Sequence, residues 1–279
     1  MRVGVIGTEN SHVDHIVDLL NVRQGRGDTR VVALAGGDNE RNRALAEKGS
    51  IDTIVDGVEE LLPLADALII TDRHGGLHRE HALPFLEDGR PVLVDKPLAA
   101  SVADAEAIIA AAQKSGSVMT SYSAVRWAQG VNEIAEKAPS LGELQAVITS
   151  GPADSESEYG GIFFYGIHAV DVALRLAPGP IGDVHVERLP DSVVAGARVG
   201  DAYVTVNFVK PTDGGRVPFH AMVVGRTGIE ADAMVMGDHY LDTGLNVFFD
   251  AVDAGKSPLD YADILRPIQF LEAVQNGLQ

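Results

Sequence analysis

Residues 65–99 read ADALIITDRHGGLHREHALPFLEDGRPVLVDKPLA, and this stretch decides the fold. An apolar run ends at Thr71 and Asp72, an amphipathic stretch follows, and a second apolar run ends in VDKP at 94–97. Continuous apolar strands joined by a helix are typical of a parallel sheet that is covered on both faces. The carboxyl ends of such strands meet at one edge of the sheet, where ligands bind in this architecture.

The same alternation of strand and helix patterns runs through the first 122 residues. Strand-like apolar runs occupy 2–6, 30–35, 52–55, 67–71, 91–95 and 117–121. Helical patterns lie between them, at 11–21, 39–48, 57–63, 77–88 and 102–115. Because parallel strands are connected by right-handed crossovers, this order predicts an α/β fold with a doubly wound, Rossmann-type parallel sheet.

The pattern changes after Tyr122. Helices are predicted near 123–137 and 161–176, and two more near 242–254 and 260–277. Strand patterns, most of them with a period of two, occupy 144–151, 182–189, 201–209, 217–225 and 228–237. Such alternation predicts an α+β domain with a largely antiparallel, open sheet. We therefore predict one domain at 1–122 and a second at 123–279, and we leave open that the last helices pack back on the first domain.

The composition narrows the classes of function. Forty acidic and 22 basic side chains among 279 residues give a net charge of −18. Such a surface repels phosphate backbones, so we expect no nucleic-acid partner. No apolar run reaches the roughly 18 residues that cross a bilayer, and the first residues read as a strand, so we expect no membrane partner and a cytoplasmic location. The absence of cysteine excludes disulfides and thiolate chemistry.

Lys96 follows the second apolar strand of the opening stretch, between Asp95 and Pro97. A lysine at this edge is placed to exchange a proton with a substrate hydroxyl or carbonyl while a hydride moves to or from a nicotinamide. The alternative is a surface lysine beside a turn-forming proline. Motifs elsewhere in the chain favour the first interpretation.

Four stretches resemble, in their order along the chain, the glucose–fructose oxidoreductase/inositol dehydrogenase family, also called the Gfo/Idh/MocA family. They are GLHREHALPFLEDGRPVLVDKPLA (76–99), SYSAVRW (121–127), GGIFFYGIHAVDVALRL (160–176) and FFDAVDAGKSPLDYADILRPIQFLEAV (248–274). The resemblance covers nearly the whole chain. It implies a dinucleotide-binding first domain and a second domain for substrate binding and oligomerisation. It also implies an NAD(P)-dependent oxidoreductase whose substrate is a small hydroxy or keto compound, such as a sugar or cyclitol derivative.

The resemblance also implies roles for single residues. Lys96 would relay a proton, Asp95 would contact the nicotinamide ribose, and Pro97, often cis in the family, would fix the turn. His168 would bind and polarise the substrate, with Asp171 one helical turn later on the same face; the alternative for His168 is a helix histidine satisfied within the protein. The predicted catalytic residues are Lys96, His168, Asp171 and Tyr165, the last as a hydrogen-bond donor. The predicted cofactor-binding residues are Gly7, Thr8, Glu9, Asn10, Ser11, Gly36, Gly37, Thr71, Asp72, His78, Asp95, Lys96, Arg126 and Trp127.

The loop GTENSH (7–12) departs from the family pattern. It keeps only the first glycine of G-x-G-x-x-G, and Glu9 replaces the second. A Glu9 carboxylate that points into the loop would repel a diphosphate by about 1–4 kcal/mol, whereas one that points outward would support the first turn of the helix. Asn10 or Ser11 is expected to cap that helix.

Two further positions depart. Gly36 and Gly37 replace the acid that commonly holds the NAD ribose, which favours NADP over NAD, with Arg41 or Arg43 in reach of the 2′-phosphate. The alternative is that these glycines shape a turn. Phe164 replaces an acid that the family often carries one helical turn before the substrate-binding histidine, which favours a less polar or already oxidised substrate.

Other hypotheses stay open because of these departures. In one hypothesis the chain is a non-catalytic family member. In another it is a lyase or hydrolase that uses the same cleft. Five histidines are predicted near one sheet edge, and their spacing allows a metal site, but we predict none: His12, His15, His74, His78 and His81. The family's open sheet favours a homo-oligomer, a dimer or tetramer, and the alternative is that both sheet faces are covered within the monomer.

Overall fold

Twelve strands and nine helices are present in the computed structural model, which describes residues 1–279. The strands are β1 (Arg2–Ile6), β2 (Arg30–Ala35), β3 (Thr53–Val55), β4 (Ala67–Ile70), β5 (Val92–Val94), β6 (Met119–Thr120), β7 (Leu144–Pro152), β8 (His185–Leu189), β9 (Ser192–Val199), β10 (Ala202–Val209), β11 (Phe219–Gly225) and β12 (Ile229–Met234). The helices are α1 (His12–Val17), α2 (Asn39–Gly49), α3 (Val58–Leu61), α4 (His78–Glu87), α5 (Val102–Ser115), α6 (Gln129–Lys137), α7 (Ile162–Leu176), α8 (Asp242–Ala254) and α9 (Tyr261–Gly277). None of these helices is both long enough and apolar enough to cross a membrane.

The first six strands form one parallel sheet in the order β3-β2-β1-β4-β5-β6. The four residues of β4 are all buried, as expected for a central strand that is covered on both faces. The order reverses between β1 and β4, so the loops that follow these two strands diverge and leave a crevice at the carboxyl edge. The sheet confirms the predicted doubly wound α/β fold.

The other six strands form a second sheet in the order β12-β11-β7-β10-β9-β8. All neighbours are antiparallel except β7 and β10, which are parallel. Helix α7 packs against β7, β10 and β11 and covers one face of this sheet. The predicted largely antiparallel sheet is therefore confirmed.

The residues group into two compact units. The first consists of Met1–Tyr122 and Leu241–Ile264, and the second of Ser123–Tyr240 and Leu265–Gln279. Within the first unit, both terminal nitrogens of Arg23 contact the Asp242 carboxylate at 2.8 Å, which ties the start of α8 to the segment after α1. The assignment of cofactor binding to one domain and substrate binding to the other stays a prediction.

Strand β9 is missing from the sequence prediction. Its sequence SVVAGARV contains Gly196 among small residues, and a glycine inside a strand weakens the strand pattern. The structure gives this glycine a packing reason. A Cβ atom at Gly196 would lie 2.7 Å from the hydroxyl oxygen of Tyr203 on the neighbouring strand, so glycine accommodates this ring without a shift of the partly exposed tyrosine side chain.

Two predicted helices are interrupted. The segment at 123–137 begins as a 3₁₀ turn (Ala124–Trp127), which the Ser123 hydroxyl caps by accepting the Val125 N–H at 3.1 Å, and becomes α-helical only at α6. The segment at 11–21 is α-helical as α1 and then widens into one π-helical turn (Asp18–Val22). This wide turn brings the Asn21 side chain into the protein interior.

Asn21 is expected to be essential for stability. Its amide nitrogen donates to the carbonyls of Val31 at 2.9 Å and Gly49 at 2.8 Å, and its carbonyl accepts the Val31 N–H at 2.8 Å. Replacement Asn21→Ala leaves these buried backbone groups unpaired and should lower the free energy of unfolding by about 2–4 kcal/mol. Urea unfolding followed by circular dichroism measures the loss. The exposed Asn39→Ala serves as control, with an expected change below about 0.5 kcal/mol; equal effects of the two variants would contradict the assignment.

Candidate functional site

Gly7 makes a tight turn directly after β1. Its φ of +88° lies in the left-handed region, and a Cβ atom there would fall 2.2 Å from the backbone nitrogen of Asp72. The Thr71 hydroxyl lies 3.0 Å from the Ile6 carbonyl oxygen and 2.9 Å from that of Gly7, so it fixes the same crossing. The first glycine of the family motif therefore has the role that the pattern predicts, a close approach of the loop to the end of β4.

Thr8 and the two glycines after β2 pack against one another. The Thr8 side chain is fully buried, with its hydroxyl oxygen 2.5 Å from Asn42 Oδ1 and 2.9 Å from the Gly36 carbonyl oxygen. A Cβ atom on Gly37 would lie only 2.1 Å from that hydroxyl, and both glycines have positive φ, +70° and +65°. The turn-shaping interpretation of the glycines thus has a direct cause. The Thr8 side chain is therefore held inside the protein, while the predicted cofactor contact of Thr8 stays a prediction.

Glu9 takes neither of the two predicted orientations. Its carboxylate accepts the backbone N–H of Arg73 at 3.0 Å, so it is held against the turn that follows β4. The Glu9 carboxylate is therefore bonded to the turn after β4, and not to the backbone N–H groups at the start of α1. The charge of Glu9 nevertheless stays at the carboxyl edge of the sheet, where an anionic ligand would have to tolerate it.

The start of α1 is held by Asn10, and not by Ser11. The side-chain oxygen Oδ1 of Asn10 accepts the backbone N–H of His12 at 3.1 Å, and its side-chain nitrogen Nδ2 donates to Asp95 Oδ2 at 3.3 Å. Ser11 is exposed and makes no side-chain capping bond, so Asn10 is the one of the two expected residues that holds the start of the helix. The cap therefore also connects the loop to the end of β5.

Arg41 fastens the loop from the side of α2. Its guanidinium donates to the Thr8 carbonyl at 2.9 Å and to the Asn10 carbonyl at 3.1 Å, and it forms an ion pair with Asp14 at 2.5 Å. Sequence reasoning considered Arg41 only as a partner for a phosphate. The positions of Thr8, Asn10 and Arg41 in the sequence do not indicate these hydrogen bonds, because the bonds depend on how α2 crosses the loop.

Asp95 and Lys96 follow β5 at the carboxyl edge. The Asp95 carboxylate lies 2.7 Å from His12 Nδ1. Burial alone would raise the pKa of Asp95, but the charge and hydrogen bond of His12, with Lys96, lower it to about 2. Lys96 is 4% exposed. Burial lowers the pKa of Lys96 below its ordinary value, opposed by Asp95 and assisted by Arg73. The Lys96–Pro97 peptide is cis. A buried amine with a lowered pKa gives up its proton more readily than an exposed lysine does, so it can accept and return a proton during a reaction.

His78 holds two turns together. Its ring is fully buried, with Nδ1 2.7 Å from the Pro97 carbonyl oxygen and Nε2 3.0 Å from that of Asp72. Both ring nitrogens contact backbone carbonyls, which gives the side chain a positioning role, while the predicted cofactor contact of His78 stays a prediction. His78 thereby fixes the turn after β4 against the turn that carries Lys96.

The other histidines near this edge have separate partners. His81 Nδ1 lies 2.8 Å from the Asp72 carboxylate; burial lowers the pKa of His81, but the hydrogen bond and charge of Asp72 outweigh burial and raise it. His74 Nδ1 accepts the Gly76 N–H at 3.0 Å. No group of three or more histidine or carboxylate side chains is arranged to hold a metal ion. The side chains singled out for a metal site are thus distributed over different contacts.

In the second unit, α7 carries His168 and Asp171 on one buried face. His168 Nδ1 lies 2.6 Å from the Ser123 hydroxyl oxygen. The Asp171 carboxylate accepts the Ser123 N–H at 2.8 Å and bonds Arg126 Nη1 at 2.6 Å. Asp171 therefore positions the segment that orients His168. Sequence reasoning missed Ser123, although it lies in the quoted SYSAVRW motif.

Arg126 and Trp127 lie in the same second unit. The Arg126 guanidinium is buried in its ion pair with Asp171 and lies 5.9 Å from the centre of the Trp127 ring. The guanidinium of Arg175 approaches that ring to 5.4 Å and donates to the Arg126 carbonyl. These contacts give both residues structural roles, while their predicted cofactor contacts stay predictions.

Aromatic rings surround His168. The rings of Tyr165 and Phe219 contact the imidazole edge to face, with centroids at 5.5 and 5.1 Å. The Phe164 ring contacts the Tyr165 ring edge to face, with 5.0 Å between the ring centroids. The Tyr165 hydroxyl accepts a hydrogen bond from Arg216 at 3.2 Å. The surroundings of His168 are therefore aromatic where the family often has an acid.

The first unit matches a family model described as "Oxidoreductase family, NAD-binding Rossmann fold" over residues 1–123. Inositol 2-dehydrogenase 1 of Saccharopolyspora erythraea is 34% identical over 113 residues, which are 39% of this chain and 32% of that protein. The 1,5-anhydro-D-fructose reductase of Ensifer adhaerens is 32% identical over 120 residues, 42% of this chain and 34% of that protein. Each match thus takes in about a third of the relative's own length.

Solved structures share the fold over nearly the whole chain. GenD2 from gentamicin A biosynthesis, in complex with NAD, has a TM-score of 0.84 at 17% identity and covers 99% of this chain and 93% of its own. The myo-inositol dehydrogenase of Lactobacillus casei, in complex with NAD(H) and myo-inositol, has a TM-score of 0.81 at 19% identity. That match covers 100% of this chain and 94% of the dehydrogenase chain. Residues 1–123 therefore match the model of the Gfo/Idh/MocA oxidoreductase family with its NAD-binding Rossmann fold, in agreement with the resemblance that the sequence motifs carry.

Proposed function

We propose that this protein is an NAD(P)-dependent oxidoreductase that transfers a hydride between a nicotinamide and a small hydroxy or keto compound, such as a sugar or cyclitol derivative. The observation that carries the proposal is Lys96, a buried lysine with a lowered pKa after β5 of a Rossmann-type sheet. The family match over residues 1–123 and the relatives named for inositol and anhydrofructose chemistry support it.

Lys96 is proposed to move the proton of the reaction. Burial disfavours its charged form, so a neutral amine is accessible closer to neutral pH than for an exposed lysine. In alcohol oxidation the neutral amine accepts the hydroxyl proton, and in ketone reduction the ammonium returns a proton to the carbonyl oxygen. A bound nicotinamide supplies the acceptor or donor of the hydride. In the second unit, His168 is proposed to bind the substrate oxygen, with Ser123 orienting its ring.

The residues at the carboxyl edge fit a dinucleotide in most respects. The Gly7 turn lets the loop approach β4 closely, as the motif requires, and Asp95 is in place after β5 to accept a ribose hydroxyl. The Glu9 carboxylate adds negative charge to this edge and opposes an anionic ligand, as does the charge of Asp95. Gly36 and Gly37 follow directly after β2, and the next acid, Asp38, caps α2 by accepting the Arg41 N–H, so we propose NADP ahead of NAD.

Replacement of Lys96 should abolish turnover without unfolding the protein. Lys96→Met keeps the length of the side chain but removes the proton donor, and we expect kcat to fall by about 10²–10⁴-fold. Affinity for NADPH should stay within a few-fold of the original. Absorbance of the reduced nicotinamide measures turnover with myo-inositol and with 1,5-anhydro-D-fructose. The matched control is Lys114→Met, an exposed lysine in α5, which should keep full activity. Undiminished turnover by Lys96→Met would overturn the assigned role.

Removal of the Glu9 charge should tighten dinucleotide binding. Glu9→Gln keeps an oxygen for the Arg73 N–H but removes the negative charge, so NADPH should bind roughly 5-fold more tightly, about 1 kcal/mol. Isothermal titration calorimetry measures the affinity, and the exposed Glu40→Gln of α2 is the control, with no change expected. Weaker binding by Glu9→Gln would mean that the carboxylate itself contributes to the loop's binding shape.

The same titration distinguishes the cofactors and the competing hypothesis. NADPH should bind more tightly than NADH to the unmodified protein, because uncharged Gly36 and Gly37 stand directly after β2, where an acid would repel the 2′-phosphate. The reverse order would overturn the NADP proposal and leave the oxidoreductase proposal intact. The absence of saturable binding of either dinucleotide by folded protein would instead favour the non-catalytic family member, for which the tied loop and Glu9 are the supporting observations.

We further propose that the uncovered face of the second sheet pairs with a second copy of the chain. One cross-strand row on this face consists of Ile229, Val224, Ala146 and Tyr203. Ile229 is 60% and Tyr203 46% exposed. No side chain of this row is acidic, whereas the chain as a whole carries a net charge of −18. Two such acidic molecules can approach closely only where carboxylates are absent, which favours this face.

Charges placed on this face should therefore separate the subunits. The double variant Tyr203→Lys/Ile229→Lys should shift the molar mass in solution to that of the monomer, because two buried ammonium groups would face the partner sheet. Light scattering coupled to size exclusion measures the mass. Val22→Lys, at a 50% exposed apolar residue of the first unit, is the control and should leave the mass unchanged. A double variant of unchanged mass would place the interface elsewhere.

A further inference from the structure

His12 occupies the position of the third glycine in the family motif, and its side chain makes a contact that a glycine cannot make. Its Nδ1 lies 2.7 Å from Oδ2 of Asp95, with only 13% and 12% of the two side chains exposed. The two residues are 83 positions apart in sequence. The substitution in the loop thus brings a titratable ring to the carboxylate that precedes Lys96.

The Asp95 carboxylate is fixed on several sides. Its backbone N–H bonds the Ile70 carbonyl at 2.8 Å, which sets the strand position. Asn10 shares Oδ2 with His12, at 3.3 Å from its amide nitrogen. The charge of Asp95 opposes the lowering of the Lys96 pKa, whereas the nearby Arg73 contributes to it. Any group that binds or offsets the negative charge of Asp95 therefore changes the pKa of Lys96.

We propose that His12 is a positioning residue that holds the Asp95 carboxylate and thereby limits how strongly its negative charge stabilises the Lys96 ammonium. When the ring donates Nδ1–H, part of the carboxylate charge is engaged by that hydrogen bond. When the ring is protonated, its positive charge offsets the carboxylate further. In both forms His12 shifts Lys96 toward the neutral amine.

The other charged groups around this chain of contacts do not replace His12. Arg73 acts on Lys96 directly and with the opposite sign to Asp95. Tyr122 is affected by Asp95, and its own pKa is raised, mainly by burial, so it stays neutral. His15, on the same helix as His12, has a lowered pKa, first through burial and then through His12. His12 is therefore the titratable group that contacts Asp95 and is absent from the family motif.

The ionisation of Lys96 tests the proposal without any assay of turnover. Protein with ¹³C at the lysine ε-carbon gives a resonance for Lys96, assigned through Lys96→Met, whose chemical shift follows the ammonium as pH changes. His12→Ala frees the carboxylate, so the Lys96 midpoint should rise by about one pH unit, and Asp95→Asn should lower it by about as much. His12→Gln, which keeps an N–H donor, should restore a midpoint close to the original.

Opposite signs for His12→Ala and Asp95→Asn are what the proposal requires. Shifts of the same sign, or an unchanged midpoint in folded His12→Ala, would overturn it, because a purely structural tie predicts no such pair of shifts. If His12→Ala does not fold, His12→Phe, which keeps a ring of similar size but has no N–H to donate, replaces it in the same measurement. An unchanged Lys96 midpoint in folded His12→Phe would also overturn the proposal.

The consequence for turnover rests on the proposed function. If Lys96 moves the proton, the pH at which kcat for alcohol oxidation reaches half its maximum should rise in His12→Ala by the same amount as the Lys96 midpoint. His12→Gln should restore it. A moved NMR midpoint in a protein without activity would support the coupling and reject the oxidoreductase proposal, so the two failures are distinguishable.

Discussion

The close crossing of Gly7 over the backbone of Asp72 is the constraint on which the carboxyl edge of the first sheet depends. A Cβ atom at this crossing would lie 2.2 Å from the backbone nitrogen of Asp72, so the residue that follows β1 must be a glycine. The Thr71 hydroxyl, bonded to the carbonyls of Ile6 and Gly7, fixes the same contact from the side of β4. Once the loop is drawn onto β4, its following side chains lie within reach of three neighbouring strands.

Side chains then hold the loop in the shape that glycines allow in the family motif. Thr8 contacts the turn after β2, Glu9 the turn after β4, and His12 the end of β5. A glycine-rich loop must lose conformational freedom when it orders around a ligand. A loop bonded to three neighbours has lost that freedom on folding. The departures from G-x-G-x-x-G are therefore a different way of stabilising the loop, and the charge of Glu9 is the part that acts against an anion.

Periodicity predicted the first sheet well because its central strands, such as β4 and β5, are buried on both faces, and because helices such as α5 begin at a strong local signal, the capping Ser101 side chain. The same reasoning missed β9, whose strand pattern is weakened by Gly196. It also missed the partners of Glu9 and His12. These contacts join residues 64 and 83 positions apart, and no local pattern encodes which rotamer will meet which strand end.

The two parts of the chain differ in how far relatives inform them. The family model matches residues 1–123, and the inositol and anhydrofructose enzymes match 39–42% of this chain, whereas the fold is shared with solved structures over nearly the whole chain. His168 lies in the second unit, outside the residues that the family model matches, among the rings of Tyr165 and Phe219. A carboxylate binds sugar hydroxyls through charge-assisted hydrogen bonds, while an aromatic ring contacts an apolar surface. With Phe164 in place of the acid, the surroundings of His168 therefore offer apolar ring surface where a carboxylate would offer hydrogen-bond acceptors.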